Sequence, residues 1–407
     1  MPETRIITGI DIGTTRIRAL IAESDEKGQP VFLGYGVVPA LGLRRGVVVN
    51  MEKTVQSISK AVEDAELMAG VHISSAVAGI AGDHIKSINS QGVIAVSRSD
   101  NEILESDIHK AIEAASAVAI PTDREIIHVL PQQYTIDEQT GIKNPIGMTG
   151  VRLEVEVHIV TAAVTSAKNI YRSLERCEIA VDHLVLQSLA SAYAGINSEE
   201  QEMGIALIDI GGDLTDVAVF FDGSIRHSGV VPLGGKNVTN DVTIGLRTAV
   251  EQAERLKLMY GSSLTSLVDP DEMMEVNGVT GRAPRSISRN VLASIIEPRM
   301  EEILSLAARE IKKANAPAAL AAGAILTGGG VLLPGTVELA EQILDMPARL
   351  GIPLGIEGLP QNIVTPEYAT VIGLVGYGFK HGTGHEISRD GIRGLFKRIE
   401  NWFSGNF

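Results

Sequence analysis

Cysteine is almost absent from this sequence. Cys177 is the only cysteine among 407 residues, which excludes an internal disulfide. A single thiol also leaves no cysteine pair for a zinc site or a redox couple. The cysteine content therefore fits a protein of the reducing cytoplasm.

Long apolar runs are also absent. No stretch approaches the roughly 20 apolar residues that a membrane-spanning helix requires, and the longest alanine-rich segment, at 318–326, is too short. The N-terminal residues lack the basic, apolar and cleavable pattern of a secretory signal. We expect the protein to remain inside the cell, so any contact with a membrane would be peripheral.

Basic residues are fewer than acidic ones. The 35 Lys and Arg residues are outnumbered by 50 Asp and Glu residues, which gives a formal net charge of −15. Because nucleic acids are bound largely through accumulated basic side chains, we expect no nucleic acid among the partners. The hydrophobic content of 44% is ordinary for a globular protein, and the length suffices for two domains with buried cores.

The same order of strands occurs twice in the chain. Apolar strand signals, separated by a glycine loop and a polar turn, cover residues 5–11, 16–22 and 31–39, and then 204–209, 214–221 and 224–232. A duplication of this length, unlike the short periods of solenoid proteins, indicates two similar lobes that face one cleft. The sequence thus predicts an α/β fold with a duplicated β-sheet core.

Each half carries an aspartate at a strand end, followed by glycine and a hydroxyl-bearing turn. Glycine lets backbone N–H groups reach phosphate oxygens, and the carboxylate of Asp11 or Asp209 can hold a hydrated Mg2+ ion. Either loop alone could be a tight β-turn, but two loops in duplicated contexts favour phosphate binding. The candidate phosphate-binding residues are Gly13, Thr14 and Thr15 in the first loop and Gly211, Gly212, Asp213 and Thr215 in the second.

A third glycine loop, formed by Gly328, Gly329 and Gly330, follows a strand signal at 324–327. Its glycines permit a close approach of the backbone to a flat base or a sugar. The three loops in this order resemble those of the superfamily that includes actin, sugar kinases and heat-shock chaperone ATPases. The resemblance covers most of the chain and implies a two-lobed fold that binds ATP with Mg2+.

The resemblance also implies contacts to the rest of the nucleotide. In that superfamily, a helix of the second lobe supplies a glutamate and a lysine to the ribose and the adenine. Glu254 and Lys257 match this pair, although an exposed helical ion pair is the alternative. Gly234, Gly235 and Lys236 resemble the loop that closes over the nucleotide.

Three residues bear on hydrolysis. Gln187 stands, by resemblance, where actin-like members position the attacking water, although a buried and satisfied amide is the alternative; Gln187 and Asp209 are the candidate catalytic residues. Asp213 departs from the resemblance, because many relatives carry a glycine there. A carboxylate near the terminal phosphate repels it unless Mg2+ or an outward rotamer intervenes. We therefore expect ATP binding with slow or absent hydrolysis.

The segment 84–161 has a different hydrophobic periodicity from the strands around it. Apolar residues have helical spacing at 102–118, whereas apolar and polar residues alternate at 151–159, as in a strand with one wet face. We interpret this segment as an inserted α+β subdomain. Further helices are predicted at 165–175, 187–195, 248–260 and 287–314, the last of them broken near Pro298.

The C-terminal residues predict an amphipathic helix at 391–407, after a glycine-containing tether at 382–390. An apolar stripe with basic residues beside it favours insertion into an anionic membrane surface over docking on the protein's own domain. One such anchor is weak, but several anchors on one polymer bind strongly. The candidate membrane residues are Ile392, Leu395, Phe396, Lys397, Arg398, Ile399, Trp402 and Phe403.

The inserted segment, the run 295–299, the loop 326–330 and the amphipathic terminus together resemble the FtsA family of bacterial cell-division proteins. The resemblance implies a subdomain 1C in place of actin's 1B, ATP-dependent polymerisation, and attachment of the tubulin-like FtsZ ring to the cytoplasmic face of the inner membrane. It also implies that later division proteins contact the inserted subdomain. The implied parts are 1–83 with 162–203 (1A), 84–161 (1C), 204–232 with 317–381 (2A), 233–316 (2B), the tether 382–390 and the helix 391–407.

By the same resemblance, the C-terminal tail of FtsZ would bind subdomain 2B near Arg299 and Glu302, although an ordinary solvated helix face is the alternative. A sugar or acetate kinase would need a substrate-binding set of Asp or Arg between the lobes, which the sequence does not point to. A pilus-assembly actin homologue shares the inserted subdomain but can borrow its partner's membrane anchor. A chaperone ATPase is disfavoured because no substrate domain follows the cleft.

Overall fold

The structure, a computed structural model, describes residues 5–277, 283–314 and 320–382. The predicted tether beyond Gly382 and the predicted helix at 391–407, with all its candidate membrane residues, lie outside these ranges. Within them, none of the helices is both long and apolar enough to cross a membrane.

The first lobe starts with three antiparallel strands, followed by a short hairpin, a long helix and a strand that pairs in parallel with the first one. These elements are β1 (Ile6–Ile12), β2 (Arg16–Ser24), β3 (Pro30–Pro39), β4 (Leu43–Arg44), β5 (Val47–Val48), α1 (Met51–Ala69) and β6 (Ser75–Ile80). The first three lie where the apolar pattern predicted them. All residues of β1 after Ile6 are buried, because helices cover both faces of this sheet.

Helix α1 has clear start and stop signals. The side chain of Asn50 accepts a hydrogen bond from the Lys53 amide, and Gly70 ends the helix with a left-handed backbone. The helix packs closely on β3, because a Cβ atom at Gly36 would lie 2.0 Å from the carbonyl oxygen of Ala61. Only glycine therefore fits at this crossing.

The inserted subdomain forms a separate four-stranded sheet with its own apolar core. Its elements are β7 (Lys86–Ala95), α2 (Glu105–Ser116), β8 (Arg124–Ile136), β9 (Gln139–Ile142) and β10 (Arg152–Ala163), with the strand order β7-β10-β8-β9. Leu153, Val155 and Val157 are fully buried against α2, whereas Glu154 and Glu156 are not. The predicted alternation is therefore present at 153–157 but not at the ends of the predicted range, because Val151 is exposed and His158 is buried.

The chain then returns to the first lobe and completes its sheet. The elements are α3 (Val164–Glu175), β11 (Ala180–Leu186), α4 (Gln187–Gly195) and α5 (Ser198–Met203). Strand β11 pairs in parallel with β6, so the strand order of the first sheet is β11-β6-β1-β2-β3.

The second lobe repeats this sheet and adds a helical part to it. Its elements are β12 (Ile205–Ile210), β13 (Thr215–Phe221), β14 (Ser224–Val231), α6 (Gly235–Leu246), α7 (Val250–Tyr260), β15 (Met273–Val276), β16 (Arg285–Ser288), α8 (Arg289–Lys312), β17 (Gly323–Thr327), α9 (Thr336–Leu344) and β18 (Ala348–Leu350). A last helix, α10 (Ala369–His381), follows them in the chain.

The second sheet has the order β14-β13-β12-β17-β18, with the same parallel and antiparallel pairings as the first sheet. The predicted duplication is therefore present in three dimensions. Strand β12 is buried on both faces: Ile205 and Leu207 join the core of the first lobe, and Ala206 and Ile208 join that of the second. This double burial explains why β12 reads as a continuous apolar run rather than an alternating one.

The predicted break near Pro298 was wrong, because α8 runs through this residue without interruption. Proline has no N–H to donate to the carbonyl of Ser294, and this normally kinks or ends a helix. Ile296 and Met300, on either side of Pro298, are both fully buried in the second-lobe core. We attribute the continuity of α8 to this packing, which offsets the missing hydrogen bond.

Helix α10 packs on the first sheet and on α4, although the predicted division placed it in the core of the second lobe. Because α4 also contacts β12 and β13 of the second sheet, the two lobes are joined through these helices. The C-terminal end of α10 is held from the first sheet. The Arg5 guanidinium donates to the carbonyls of Gly378 and Phe379, and His183 Nε2 lies 2.7 Å from the Gly382 oxygen.

The crossing of α10 and α4 generates a stability prediction. A Cβ atom at Gly373 would lie 1.7 Å from the Ala190 carbonyl oxygen, so Gly373→Ala should force the helices apart. We expect a loss of about 1–3 kcal/mol in the free energy of unfolding, as for other overpacked cores. Gly376→Ala is the matched control on the same helix, because its Cβ position has open space within 4 Å among the described residues. Equal urea midpoints for the two variants would contradict the prediction.

Candidate functional site

Asp11 lies near the end of β1, at the start of the first predicted phosphate loop. Its side chain is buried and bonded on two sides. Arg18 Nη1 lies 3.3 Å from Asp11 Oδ2, and Gln187 Nε2 donates to Asp11 Oδ1 at 3.0 Å. Gln187 is the first residue of α4, and its side-chain N–H groups are bonded to Asp11 and to the Ile12 carbonyl of the first loop.

Asp209 occupies the matching place in the second lobe. Its Oδ2 atom accepts a hydrogen bond from the hydroxyl of Ser191 at 2.7 Å and a longer one from that of Thr370 at 3.4 Å. These hydroxyls come from α4 and α10, the helices that join the lobes. Asp209 therefore lies between the lobes rather than within one of them.

The duplicated hairpins place unlike residues opposite the two aspartates. Arg18 pairs with Asp11 in the register of β1 and β2, whereas Asp216 pairs with Asp209 in the register of β12 and β13. Arg18 also bonds Glu367 at 3.2 Å, and its guanidinium lies over the ring of Tyr368. The first lobe thus places a cation beside its aspartate, and the second lobe places another acid there.

Burial raises the pKa of all three acids, and repulsion from a neighbouring carboxylate adds to the shift for Asp11 and Asp216. Burial raises the pKa of Asp11 to about 6; the Asp209 charge adds to this and the Arg18 charge opposes it. Burial also raises the pKa of Asp209, while its hydroxyl donors oppose the shift. The pKa of Asp216 lies well above its usual range because of burial and of the nearby Asp209 and Asp11.

This acid cluster fits a bound cation. A divalent ion would relieve the repulsion that raises these pKa values, and Asp216 Oδ1 is a buried oxygen that bonds none of the described residues. Among those residues, no group of three or more His, Cys, Asp or Glu side chains is placed to hold a metal ion directly. That Asp11 and Asp209 hold a hydrated Mg2+ ion through water stays a prediction.

The two phosphate loops contact each other. The Asp213 amide donates to the Thr14 hydroxyl at 3.2 Å, and a Cβ atom at Gly212 would lie 2.0 Å from Thr15 Oγ1. Gly212 is thus required for the approach of the loops. Thr215 differs from the prediction, because its buried hydroxyl donates to the Leu233 carbonyl at 2.9 Å and its proton is not available to a phosphate.

The predicted closing loop lies directly over the second phosphate loop. The amides of Gly235 and Lys236, at the N-terminus of α6, donate to the carbonyls of Gly211 and Gly212 at 2.9 and 2.8 Å. A Cβ atom at Gly234 would lie 2.6 Å from the same Gly211 oxygen, so only glycine fits at position 234 as well.

Lys257 is buried rather than exposed, so the alternative of an exposed helical ion pair was wrong for this residue. Its Nζ atom donates to the Gly235 carbonyl at 3.2 Å and to Thr239 Oγ1 at 2.9 Å, and lies 2.8 Å from Glu254 Oε2. Glu254 itself is 40% exposed. The pair therefore supports the start of α6, next to the closing loop.

The third glycine loop lies against Asp209. Gly328 has a positive φ of 84°, and a Cβ atom there would lie 2.4 Å from Asp209 Oδ1. A Cβ atom at Gly330 would meet Ile210 at the same distance of 2.4 Å, whereas Gly329 faces more open space, 3.9 Å from Glu367 Oε2. The three predicted loops thus converge on one site between the lobes.

Sequence reasoning missed Arg18, Asp216, Ser191, Thr370 and Glu367. The first two could have been found, because they stand at matching positions of the duplicated hairpins. Ser191, Thr370 and Glu367 reach the site only through the packing of α4, α10 and a short 3-10 turn. No local sequence pattern marks them.

Arg299 and Glu302 lie on α8, away from this site. The Arg299 guanidinium makes two hydrogen bonds to Asp241 of α6, at 2.6 and 3.2 Å, and also pairs with Glu302. Its side chain is 27% exposed. The cation that was predicted to meet an acidic partner is thus already bound by two carboxylates of this chain.

A family profile described as "Cell division protein FtsA" matches residues 206–373, and one described as "SHS2 domain inserted in FTSA" matches residues 82–161. The cell division protein FtsA of Pseudomonas aeruginosa is 43% identical, with 99% of this chain and 98% of that protein covered. FtsA of Escherichia coli K12 is 35% identical, with 100% and 99% covered.

Solved structures share the fold at low identity. The PilM-PilN type IV pilus biogenesis complex matches with a TM-score of 0.67 and 16% identity, covering 92% of this chain and 98% of the other. MreB5 of Spiroplasma citri bound to ADP matches with a TM-score of 0.56 and 15% identity, covering 98% and 100%. These matches, with the inserted SHS2 domain, confirm the predicted actin-like fold with an inserted subdomain.

The acid cluster generates a prediction about stability and pH. Because the pKa of Asp216 is raised in the folded protein, the carboxyl favours folding at low pH and this contribution is lost as the pH rises through that pKa. Asp216→Asn should therefore raise the unfolding temperature, and more at pH 8 than at pH 5. Every tenfold change in the acid dissociation constant between the folded and unfolded states is worth about 1.4 kcal/mol of unfolding free energy.

Asp222→Asn is the matched control, because its carboxylate is 54% exposed on the turn after β13. We expect no pH-dependent gain for this variant. Thermal unfolding of both variants and the wild type across this pH range measures the effect. A gain for Asp216→Asn that does not grow with pH would show that the carboxyl is not held in a raised-pKa state.

Proposed function

This chain belongs to the FtsA family of cell division proteins, and we propose from this membership and from the loop geometry that it is an ATP-binding, actin-like protein of the division site. It polymerises on the cytoplasmic face of the inner membrane and attaches the FtsZ ring to it. The observation that carries the proposal is the convergence of three glycine loops on a buried acid cluster.

The residues around the cleft supply the groups that a nucleotide needs. Backbone amides next to Gly13 and Gly211 would donate to phosphate oxygens, and Lys236 of the closing loop would add a cation. Asp11 and Asp209 would bind the hydration shell of a Mg2+ ion, and the ion would neutralise phosphate charge. The base and ribose would lie between the Glu254 and Lys257 pair and the loop of Gly328, Gly329 and Gly330.

Hydrolysis depends on whether a water can be positioned in this cleft. Gln187 is the candidate for that role, because its amide faces the first phosphate loop beside Asp11. Its Nε2 atom already donates to Asp11, so its carbonyl oxygen is the group that would orient a water. The expectation of slow turnover with nucleotide binding retained rests instead on Asp213, whose carboxylate lies beside Lys236 and the first phosphate loop.

Membrane attachment would come from the amphipathic stripe at 391–407. We expect wild-type protein to float with anionic phospholipid vesicles in the presence of ATP, and a truncation after Asp390 to remain at the bottom of the gradient. Trp402→Glu should have the same effect, because it places a charge in the apolar stripe.

Glu400→Gln is the control for the flotation assay, because it changes a polar position of the same segment and removes an acid. It should float at least as well as the wild type. Flotation of the truncated protein would disprove the anchor. Loss of flotation by Glu400→Gln would point to general disruption of the segment instead.

The C-terminal tail of FtsZ is the proposed partner of α8 near Arg299 and Glu302. An acidic tail would have to compete with Asp241 for the Arg299 guanidinium, since the two are already bonded. Later division proteins would contact the inserted subdomain. A pilus-assembly role shares the fold, but membership of the FtsA family favours cell division over it and over a small-molecule kinase.

The Arg299 site is tested by charge reversal. Arg299→Glu should weaken binding of an FtsZ tail peptide by about tenfold or more, because it removes the cation and adds a carboxylate beside Asp241. Fluorescence anisotropy with a labelled peptide measures the affinity. Arg309→Glu reverses an exposed charge on the same helix and should change binding little. Asp241→Asn removes the internal competitor and should strengthen binding; equal affinities throughout would exclude this site.

A further inference from the structure

Asp213 is held by groups from both lobes. Its Oδ2 atom accepts a hydrogen bond from the Arg45 amide at 2.9 Å, and its Oδ1 atom lies 3.0 Å from Lys236 Nζ. Arg45 follows β4 in the short hairpin of the first lobe, and Lys236 belongs to the closing loop of the second lobe. The side chain of Asp213 is only 13% exposed, so this carboxylate has a defined place between the lobes.

Asp213 belongs to the second phosphate loop and lies against the first. Its own amide donates to the Thr14 hydroxyl, and Lys236 Nζ donates to the Thr14 carbonyl at 2.7 Å. Counted from the two strand-end aspartates, Asp213 in the second loop stands where Thr15 stands in the first. The duplication thus has a hydroxyl in one loop and an anion in the other.

The partners of Asp213 are groups that bind phosphate oxygens. A lysine ammonium and a backbone N–H at a turn are both common ligands of phosphate groups. Arg45 has a left-handed backbone with φ of 48°, and its amide points out of the hairpin to the carboxylate. In this arrangement an acidic side chain of the chain itself uses donors that suit the terminal phosphate of a nucleotide.

We propose that Asp213 is an internal competitor of the terminal phosphate of a nucleoside triphosphate. When the triphosphate binds Lys236, its charge repels the Asp213 carboxylate from the Arg45 amide, and this releases the β4–β5 hairpin from the second lobe. The proposal rests on the proposed ATP binding and adds to it a residue that sets the preference between triphosphate and diphosphate. Because Lys236 cannot neutralise both anions fully, binding of one weakens its pairing with the other.

The hairpin is the part of the first lobe that responds. The tip of the hairpin is packed tightly against the residues that follow β6, because a Cβ atom at Gly46 would lie 2.4 Å from the Ala81 carbonyl oxygen. The hairpin leads directly into the start of α1, where the amides of Val49 and Asn50 both donate to the Gly42 carbonyl. Loss of the bond between Arg45 and Asp213 would therefore free the hairpin from the second lobe while its base stays attached to the first.

The first test is equilibrium nucleotide binding, measured by calorimetry with ATP and with ADP in the presence of Mg2+. Asp213→Asn keeps the shape of the side chain and removes its charge. We expect its affinity for ATP to rise about tenfold, and its affinity for ADP to change by less than about twofold, since only the triphosphate meets the carboxylate. Asp222→Asn removes an exposed carboxylate at the opposite end of β13; it is the matched control and should bind both nucleotides as the wild type does.

The second test follows the hairpin itself by hydrogen exchange of the Arg45 amide. In the wild type, this amide should exchange slowly without nucleotide or with ADP, and at least about tenfold faster with ATP. Asp213→Gly removes the acceptor, so the amide should exchange fast in all three conditions. If the Arg45 amide of the wild type exchanges as slowly with ATP as it does with ADP, the proposed release of the hairpin is wrong.

The outcomes separate the proposal from the broader function. Absence of ATP binding by the wild type would refute the proposed function as a whole. If the wild type binds ATP and both Asp213→Asn and Asp213→Gly bind it with unchanged affinity, the proposed competition between Asp213 and the terminal phosphate is wrong, but the proposed ATP binding stands. A fall in ATP affinity in these variants would also refute it, because Asp213 would then be a ligand of the cation rather than a competitor of the phosphate.

Discussion

The structure depends on three carboxylates that are buried where the two lobes meet. Burial raises the pKa of Asp11, Asp209 and Asp216, and Arg18 is the cation that opposes the shift at Asp11 and Asp209. Charges of one sign are expensive to bury unless they are compensated. The cluster therefore opposes folding of the isolated chain at neutral pH and favours any cation that enters the cleft. The elements that hold it in place, α4 and α10, are the same ones that join the two sheets.

Much of this architecture could be predicted from local sequence patterns. The duplicated strands, the alternation in β10 and the three glycine loops follow from apolar periodicity and from glycine placement, which depend on near neighbours only. The continuity of α8 through Pro298 could not be predicted, because it depends on burial of Ile296 and Met300 by distant residues. The packing of α10 on the first sheet is of the same kind, since its apolar sequence does not specify which sheet it covers.

The candidate site shows the same division between local and distant information. The backbone positions of Asp11, Asp209 and the glycines were evident from the sequence, whereas the partners of their side chains were not. Asp213 is the clearest case. Its charge was expected to conflict with phosphate binding, but the sequence could not show that the carboxylate would meet Lys236 and the amide of Arg45.

The fixation of the last turn of α10 has a mechanical consequence. Arg5, just before the first strand, and His183, from the edge strand β11, contact carbonyls at and just after the end of this helix, so its last turn is fixed to the first sheet. A pull on the chain beyond Gly382 would load α10 along its length and spread into the first sheet through these bonds. Such a load reaches α4, and with it the Gln187 and Ser191 side chains that bond the two strand-end aspartates. Tension on the end of the chain and the geometry of the cleft are therefore mechanically connected.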